Sequence, residues 1–306
     1  MIRRQTKHLL LKIVSMLSVV RGYNVAIIVL AQYISAIFIL APEKKRALDI
    51  ILDFNLFMIV LVSSLTIASG YIINNFYDSK KDLINRPNKS QLDRLVSQKT
   101  KLRVYFTVNF IVFFLSFFVS FRAVLFFSAY IFLIWFYSHK LKKILVVGNL
   151  TAAFLAVLPF FAILLYYKTF YPQIFSHATF LFLLLLIREM IKDLENIKGD
   201  IANGYQTIPA VYGEQFSKKI ITLLTLSTVV PVYFLVEVFE VGYMDIYFYV
   251  SLIILIFFLQ KLWKSNSKPD YLKLHNILKF LVVSGVFCII LINPEVLVHG
   301  KRLLRF

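Results

Sequence analysis

The amino-acid sequence predicts an all-α, polytopic membrane protein with about nine transmembrane helices. Of the 306 residues, 59% are hydrophobic and only 16% are charged, and the mean hydropathy is +0.77. Several apolar runs approach or exceed the roughly 20 residues that an α-helix needs to cross a bilayer. These values exclude an ordinary soluble domain, so the lipid bilayer is the first predicted partner of the chain.

Nine apolar runs qualify as candidate spans. Spans three and four meet at Phe121 and Arg122 with almost no connection between them, which predicts a tight hairpin. The longest connections, 77–102 and 192–218, are interpreted as loops that follow spans two and six. No connection resembles a domain boundary, so residues 1–306 are predicted to form a single membrane domain. The nine candidate spans are 23–41, 56–76, 103–120, 122–138, 146–166, 174–191, 219–238, 245–262 and 276–293.

The segment before the first span is basic and apolar, and it lacks a small-residue cleavage site. We therefore expect it to be retained as an interfacial amphipathic helix, because a removed signal peptide would end in such a site.

The Lys and Arg residues are distributed unevenly between the two sides of the predicted bundle. With the N-terminus in the cytoplasm, 26 of the 34 lie on the cytoplasmic side and 8 on the opposite side. Because cytoplasmic loops carry the excess of basic residues, we expect a multi-pass protein of the cytoplasmic membrane with both long loops in the cytoplasm. This distribution also accounts for the net charge of +18, and no nucleic-acid partner is predicted.

Three oxygen-bearing side chains, Asn74, Asp78 and Asp82, stand four residues apart at the end of span two. Each step of four helical residues leaves a turn of only about 40°, so a helix that continues past the apolar run would present all three on one face. Asn74 lies inside the apolar run, where an unpaired amide would cost free energy. A shared ligand is therefore expected at this face.

A second oxygen-rich cluster follows span six and contains Asp193, Asn196 and Asp200. One Asp outside a membrane helix is commonly a solvated end, but here the arrangement occurs twice on one predicted side. Oxygen ligands suit hard cations such as Mg²⁺ and, through the cation, a phosphorylated ligand. The two clusters therefore predict a Mg²⁺ cofactor, and their four aspartates are the predicted catalytic residues.

Basic side chains around both clusters predict that an anion is held through the metal. Together they could clamp a diphosphate, with Mg²⁺ bridging carboxylate and phosphate oxygens. The predicted anion-binding residues are Arg21 and Asn24 before span one, Arg86 and Lys89 after the first cluster, Lys142 after span four, and Arg188 and Lys192 beside the second cluster.

Four segments resemble signatures of the UbiA-type intramembrane prenyltransferase superfamily. SGYIINNFYDSKKDLINRP resembles its first motif, N-D-x-x-D-x-x-x-D. REMIKDLENIKGDIANGYQTIPAVYG resembles its second motif, D-x-x-D-x-x-x-D followed by G-x-x-T-[IL]-P. VVRGYN is similar to R-P-x-N before span one, and YSHKLKKILVVGN is similar to Y-S-x-x-L-K…G-N. The matches run from Arg21 to Gly213 in the family's order, and the second motif is closest to the branch that makes digeranylgeranylglyceryl phosphate.

The resemblance implies a helical bundle around a central cavity that is open laterally to lipid. A prenyl diphosphate donor would bind there with Mg²⁺, and a lipophilic acceptor would be prenylated. By position, Tyr137 and Lys142 would contact the diphosphate or leaving group, and Arg21 and Asn24 the acceptor or the diphosphate. One Mg²⁺ would be held by Asn74, Asp78 and Asp82, and the other by Asp193, Asn196 and Asp200.

The chain departs from the family pattern at several positions. Asn75 and Asn196 replace aspartates, and Lys89 with Ser90 stands where the family often has Arg-Pro. An Asn carbonyl can coordinate Mg²⁺ but brings no charge. We therefore expect Asp193 to compensate at the second metal site.

For the acceptor, the branch resemblance and the abundant cations favour a prenylglyceryl phosphate, which would receive a geranylgeranyl-type group at its hydroxyl. Alternative acceptors are an aromatic quinone precursor, such as hydroxybenzoate or a naphthoate, and a tetrapyrrole. Two other functional classes stay open. A transporter would place its acidic residues near the bilayer midplane, and a non-catalytic lipid-binding homologue would have lost activity through Asn75 and Asn196.

Overall fold

The computed structural model describes residues 2–42 and 45–294. Within these residues the secondary structure is helical, and nine helical segments are long and apolar enough to cross a membrane, which confirms the predicted fold class. The helices are α1 (Ile2–Val20), α2 (Gly22–Ser35), α3 (Ala47–Ile51), α4 (Phe54–Tyr77), α5 (Ser79–Asn85), α6 (Pro87–Asp93), α7 (Gln98–Phe117), α8 (Phe121–His139), α9 (Val147–Tyr167), α10 (Pro172–Ala202), α11 (Ile208–Ser227), α12 (Val229–Tyr233), α13 (Asp245–Lys264) and α14 (Lys268–Cys288).

The predicted spans match these helices in number and order, but several helices extend into the predicted connections, since α7 begins at Gln98, α11 at Ile208 and α14 at Lys268. The tight hairpin between spans three and four is present, with residues 118–120 joining α7 to α8. The region predicted as a loop after span two instead contains α5 and α6, and α10 continues as one helix to Ala202. Hydropathy underestimated the length of α10. Its charged last turns contact other helices, and these contacts keep them helical after the apolar run ends.

Two helices form the centre of the bundle. Helix α4 packs against α7 and α8, whereas α10 packs against α9, α11 and α14. Helix α5 contacts α10, and this contact brings the two acidic motifs together. A glycine makes the close approach possible, because a Cβ at Gly199 would collide with the side-chain amide of Asn85.

A proline in the middle of α9 is accommodated by a neighbouring helix. Pro159 lacks the backbone N–H that would bond the carbonyl of Leu155 four residues earlier. The hydroxyl of Tyr130 on α8, which is buried, donates to that carbonyl at 2.8 Å. A backbone group that would be costly to leave unpaired in a membrane is thus satisfied.

Candidate active site

The first motif lies on an almost uninterrupted helical path. Although α4 ends at Tyr77, the N–H groups of Asp78 and Asp82 donate to the carbonyls four residues earlier, at 2.9 and 2.8 Å. Helical hydrogen bonding therefore continues through the junction with α5, as the spacing of four predicts. The polar face extends from Asn74 at the end of α4 to Asp82 on α5.

A lysine from another segment occupies the first motif. The ammonium group of Lys142 donates to Asp78 Oδ1 at 2.5 Å and to Asn74 Oδ1 at 3.1 Å. Lys142 lies in a short 3₁₀ turn after α8 and is 9% exposed. The structure thus places Lys142 against the carboxylate and the amide of the first motif.

A second lysine joins the two motifs, and the sequence analysis missed it. Lys81 on α5 forms an ion pair with Asp200 on α10, with 2.5 Å between Nζ and Oδ1. The same ammonium lies 4.0 Å from the ring centroid of Tyr205, whose hydroxyl donates to Asp78 Oδ1 at 2.7 Å. Asp78, Tyr205, Lys81 and Asp200 thus form a continuous chain between the motifs.

The remaining members of the second motif have different surroundings. Asp193 accepts a hydrogen bond from Asn149 Nδ2 at 2.7 Å. Asn196 donates to the carbonyl of Lys192 on its own helix at 2.6 Å, while its Oδ1 is buried without a hydrogen-bond partner among the described residues. That oxygen is available to a ligand from the site.

Three of the predicted anion-binding cations on this side are paired with glutamates that the sequence analysis did not identify. Arg86 lies 3.5 Å from Glu195, and both Arg188 and Lys192 contact Glu189, at 3.4 and 2.5 Å. The glutamates hold these cations at the inner face of α10. Each cation is thus positioned before any anion arrives.

The two predicted anion-binding residues before span one, Arg21 and Asn24, both contact Tyr71 of α4. The guanidinium of Arg21 lies 5.1 Å from the ring centroid of Tyr71, and Asn24 Nδ2 lies 3.5 Å from the Tyr71 hydroxyl. Arg21 has no carboxylate partner among the described residues. Tyr137 is half-buried near the end of α8, and its hydroxyl makes no hydrogen bond to a motif residue among the described residues.

The charges of the first motif are unequal. Burial raises the pKa of the Asp78 carboxyl, but the ammonium groups of Lys142 and Lys81 outweigh burial and hold that pKa below its usual value. For Asp82, burial and the nearby Asp78 charge raise the pKa above its usual value. Any cation that binds Asp82 competes with a proton there, so its affinity should rise as the pH rises through this raised pKa.

The donor set fits Mg²⁺ even though, among the described residues, no three His, Cys, Asp or Glu side chains converge on one point. The free Oδ1 of Asn196 and the carboxylate of Asp82, which forms no ion pair among the described residues, are hard oxygen donors. The lysine contacts with Asp78 and Asp200 show that these carboxylates are arranged to neutralise positive charge. The residues that would hold Mg²⁺ are those of the two motifs.

Comparison with known proteins identifies the family. A sequence model of the UbiA prenyltransferase family matches residues 29–284. The chain belongs to the UbiA prenyltransferase family. This UbiA family member is therefore a multi-pass membrane enzyme of the prenyltransferase class, as the motifs predicted.

Curated relatives include digeranylgeranylglyceryl phosphate synthases. The protein from Methanobrevibacter smithii is 26% identical over 261 residues, which cover 78% of this chain and 89% of the relative. The protein from Thermococcus sibiricus is 30% identical over 174 residues, which cover 56% of this chain and 62% of the relative. This family member is thus similar to that branch at modest identity.

Two solved structures share the fold. One, from a study of digeranylgeranylglyceryl phosphate synthase in membranes, superposes with a TM-score of 0.68 at 21% identity, covering 91% of this chain and 97% of the other. The other is a UbiA homologue from Archaeoglobus fulgidus bound to DMAPP and Mg²⁺. It superposes with a TM-score of 0.66 at 16% identity, covering 90% and 99%.

Proposed function

We propose that this enzyme transfers a geranylgeranyl-type group from a prenyl diphosphate to the hydroxyl of a prenylglyceryl phosphate, with Mg²⁺ as cofactor. The observation that carries the proposal is the chain of contacts from Asp78 through Tyr205 and Lys81 to Asp200. It joins two acidic motifs into one site that is ringed by cations. The names of the curated relatives support this choice of acceptor.

The reaction requires the allylic carbon–oxygen bond of the donor to break while negative charge develops on the diphosphate. Bound Mg²⁺ would neutralise the diphosphate oxygens and promote departure of the leaving group. Lys142 and Lys81 now pair with the carboxylates of Asp78 and Asp200. If Mg²⁺ neutralised these carboxylates, the two ammonium groups could donate to the diphosphate oxygens instead. The acceptor oxygen then forms the ether bond to the allylic carbon, and its proton is released with the diphosphate.

The acceptor phosphate needs cationic contacts of its own. The abundance of cations was one basis for expecting a phosphorylated acceptor. In the structure, Lys89, Lys142 and Arg188 are each paired with a carboxylate, which leaves fewer cations for the acceptor. Arg21 is the cation best placed for an acceptor phosphate, because it stacks on Tyr71 and has no carboxylate partner among the described residues.

An apolar cavity beside α10 suits the isoprenoid tail of the donor. It lies between α2, α9, α10, α13 and α14, and its lining includes Ala178, Leu184, Tyr247 and Val282. Leu184 precedes Asp193 on α10 by nine residues, or about 14 Å at 1.5 Å per residue. Burial of each methylene contributes about 0.8 kcal/mol, so the cavity would favour long tails.

Filling this cavity should therefore shorten the preferred donor. We expect Ala178→Phe to lower kcat/KM for geranylgeranyl diphosphate by about tenfold while sparing shorter prenyl diphosphates, because a bulky ring removes the space for the distal isoprene units. Donor competition assays would measure the change. The neighbouring Thr179 is exposed on the outside of α10, so Thr179→Phe is the matched control. Equal loss for all donors would argue against a tail site.

We also propose that both acidic motifs face the cytoplasm. The bias of basic residues, 26 against 8, supports this orientation. Asn88 on α6 is exposed, so Asn88→Cys in a Cys288→Ser background should react with an impermeant maleimide only after cells are opened. A cysteine at exposed Tyr243, near the opposite end of the bundle, should react in intact cells. The reverse labelling pattern would invert the topology.

A further inference from the structure

A buried polar cluster lies beside the first motif and joins four helices. Asp93, at the end of α6, is 3% exposed. Its Oδ1 accepts from Ser18 of α1 at 2.8 Å, and its Oδ2 accepts from Asn75 of α4 at 2.9 Å and from Lys89 at 2.5 Å. Lys101 of α7, which is 1% exposed, donates to Asn75 Oδ1 at 2.8 Å.

Asn75 is the residue that departs from the first family motif, and this cluster explains why an amide suits the position. Its Nδ2 donates to the Asp93 carboxylate, while its Oδ1 accepts from the Lys101 ammonium. An aspartate here would still accept from Lys101, but it would place a second carboxylate at hydrogen-bond distance from Asp93. Two buried carboxylates that close repel one another, and one of them would have to bind a proton.

The geometry points to an exchange of charge between the first motif and α6: the negative charge that the family pattern places at position 75 is carried in this chain by Asp93. We propose that Asp93 is a positioning residue that holds Lys89 and α6 at the edge of the active site. Asn75 links the Asp93 carboxylate to buried Lys101 and has no role as a Mg²⁺ ligand, because both polar atoms of its side chain are used within the cluster.

Lys89 connects this cluster to the reaction. Its ammonium is paired with Asp93 yet also interacts electrostatically with Asp82. Asp93 therefore fixes the distance of this positive charge from the first motif. The role of Lys89 toward a diphosphate rests on the proposed function, whereas the exchange of charge between positions 75 and 93 does not.

A double-mutant cycle tests the exchange without any assay of activity. We expect Asn75→Asp and Asp93→Asn each to lower the thermal unfolding temperature of the detergent-purified protein, and the double variant to recover most of the loss. Recovery follows because the swap restores one carboxylate, one amide and two lysines. If one of the single variants failed to fold, a folded double variant would still support the exchange. Additive destabilisation in the double variant would overturn it.

The same variants separate a positioning role from a metal-ligand role. If Asn75 were a weakened Mg²⁺ ligand, Asn75→Asp alone would lower the Mg²⁺ concentration needed for half-maximal activity, and that result would overturn the proposal. We expect Asp93→Asn and Lys89→Met each to raise the KM for the prenyl diphosphate about fivefold, and the combined variant to raise it no further. An unchanged KM in Asp93→Asn would contradict the positioning role.

Failure of the proposed function would be recognised separately. If the wild-type protein transferred no prenyl group to any acceptor, the KM measurements could not be made, but the unfolding temperatures of the cycle would still decide the exchange of charge. Conversely, active wild-type protein with an additive cycle would retain the proposed function and reject the exchange.

Discussion

Replacing Asp78 by asparagine is expected to lower the rate of prenyl transfer by about 1,000-fold, the upper range for loss of one electrostatic contact in a buried site. Asp78 is the point where three contacts of the site converge, because it accepts from both Lys142 and Tyr205 and interacts electrostatically with Lys81. The substitution keeps the shape and removes the charge. Initial rates at saturating Mg²⁺ and donor would measure the effect.

Asp270→Asn is the matched control for this experiment. Asp270 is a partly exposed aspartate in the first turn of α14, and its contacts are to its neighbours Ser267 and Lys273. Its loss should leave the rate within about twofold of wild type, as expected for a surface ion pair. If Asp78→Asn retained full activity while folded, the two acidic motifs could not form the catalytic site.

Replacing Lys142 by methionine should lower kcat by about 100-fold, because the side chain is buried and its ammonium donates directly to Asp78 and Asn74 of the first motif. Methionine preserves most of the apolar length, so packing should change little. Lys140 lies two residues earlier and is exposed, which makes Lys140→Met the matched control.

The comparison should be made in single-turnover reactions, which separate the chemical step from product release. A Lys142→Met enzyme with normal kcat and only a raised KM would assign this lysine to binding alone. Equal losses in Lys142→Met and Lys140→Met would indicate a general effect of positive charge at the membrane surface.

Much of the architecture could be predicted because hydropathy and spacing act locally. Apolar runs identified all nine spans among the described residues, and the spacing of four correctly predicted helical hydrogen bonding from Asn74 to Asp82. The fold and the family were both confirmed. The predicted end of span six and the predicted starts of spans seven and nine were wrong, because the polar turns of α10, α11 and α14 are helical where these helices pack together.

The partners of the site residues could not be predicted in the same way. Glu195 contacts Arg86 across 109 residues of sequence, and Tyr205 contacts Asp78 across 127. Such pairs depend on how α5 and α10 pack, which no local pattern encodes. One signal was present: Lys81 lies between two aspartates of the first motif, so a lysine near the ligand face could have been anticipated.

Some of the predicted anion-binding cations are paired with carboxylates and others are not, and this affects which of them could bind the acceptor phosphate. The abundance of basic residues suggested a surplus of positive charge, whereas the structure pairs five of the six predicted anion-binding Lys and Arg residues with a carboxylate among the described residues. Choice of acceptor therefore depends on the few cations without such partners and on the carboxylates that Mg²⁺ would occupy. Arg21 is the clearest example, and its conformation is unusual, with φ of 53° at the junction of α1 and α2.

The most direct test of the central claim is product analysis with purified protein in bilayers. Geranylgeranyl diphosphate would be supplied with geranylgeranylglyceryl phosphate, hydroxybenzoate or a naphthoate, in Mg²⁺ or in EDTA, and the products identified by mass spectrometry. We expect a di-ether glyceryl phosphate that forms only with Mg²⁺. Efficient prenylation of an aromatic acceptor, with none of the glyceryl phosphate, would contradict it.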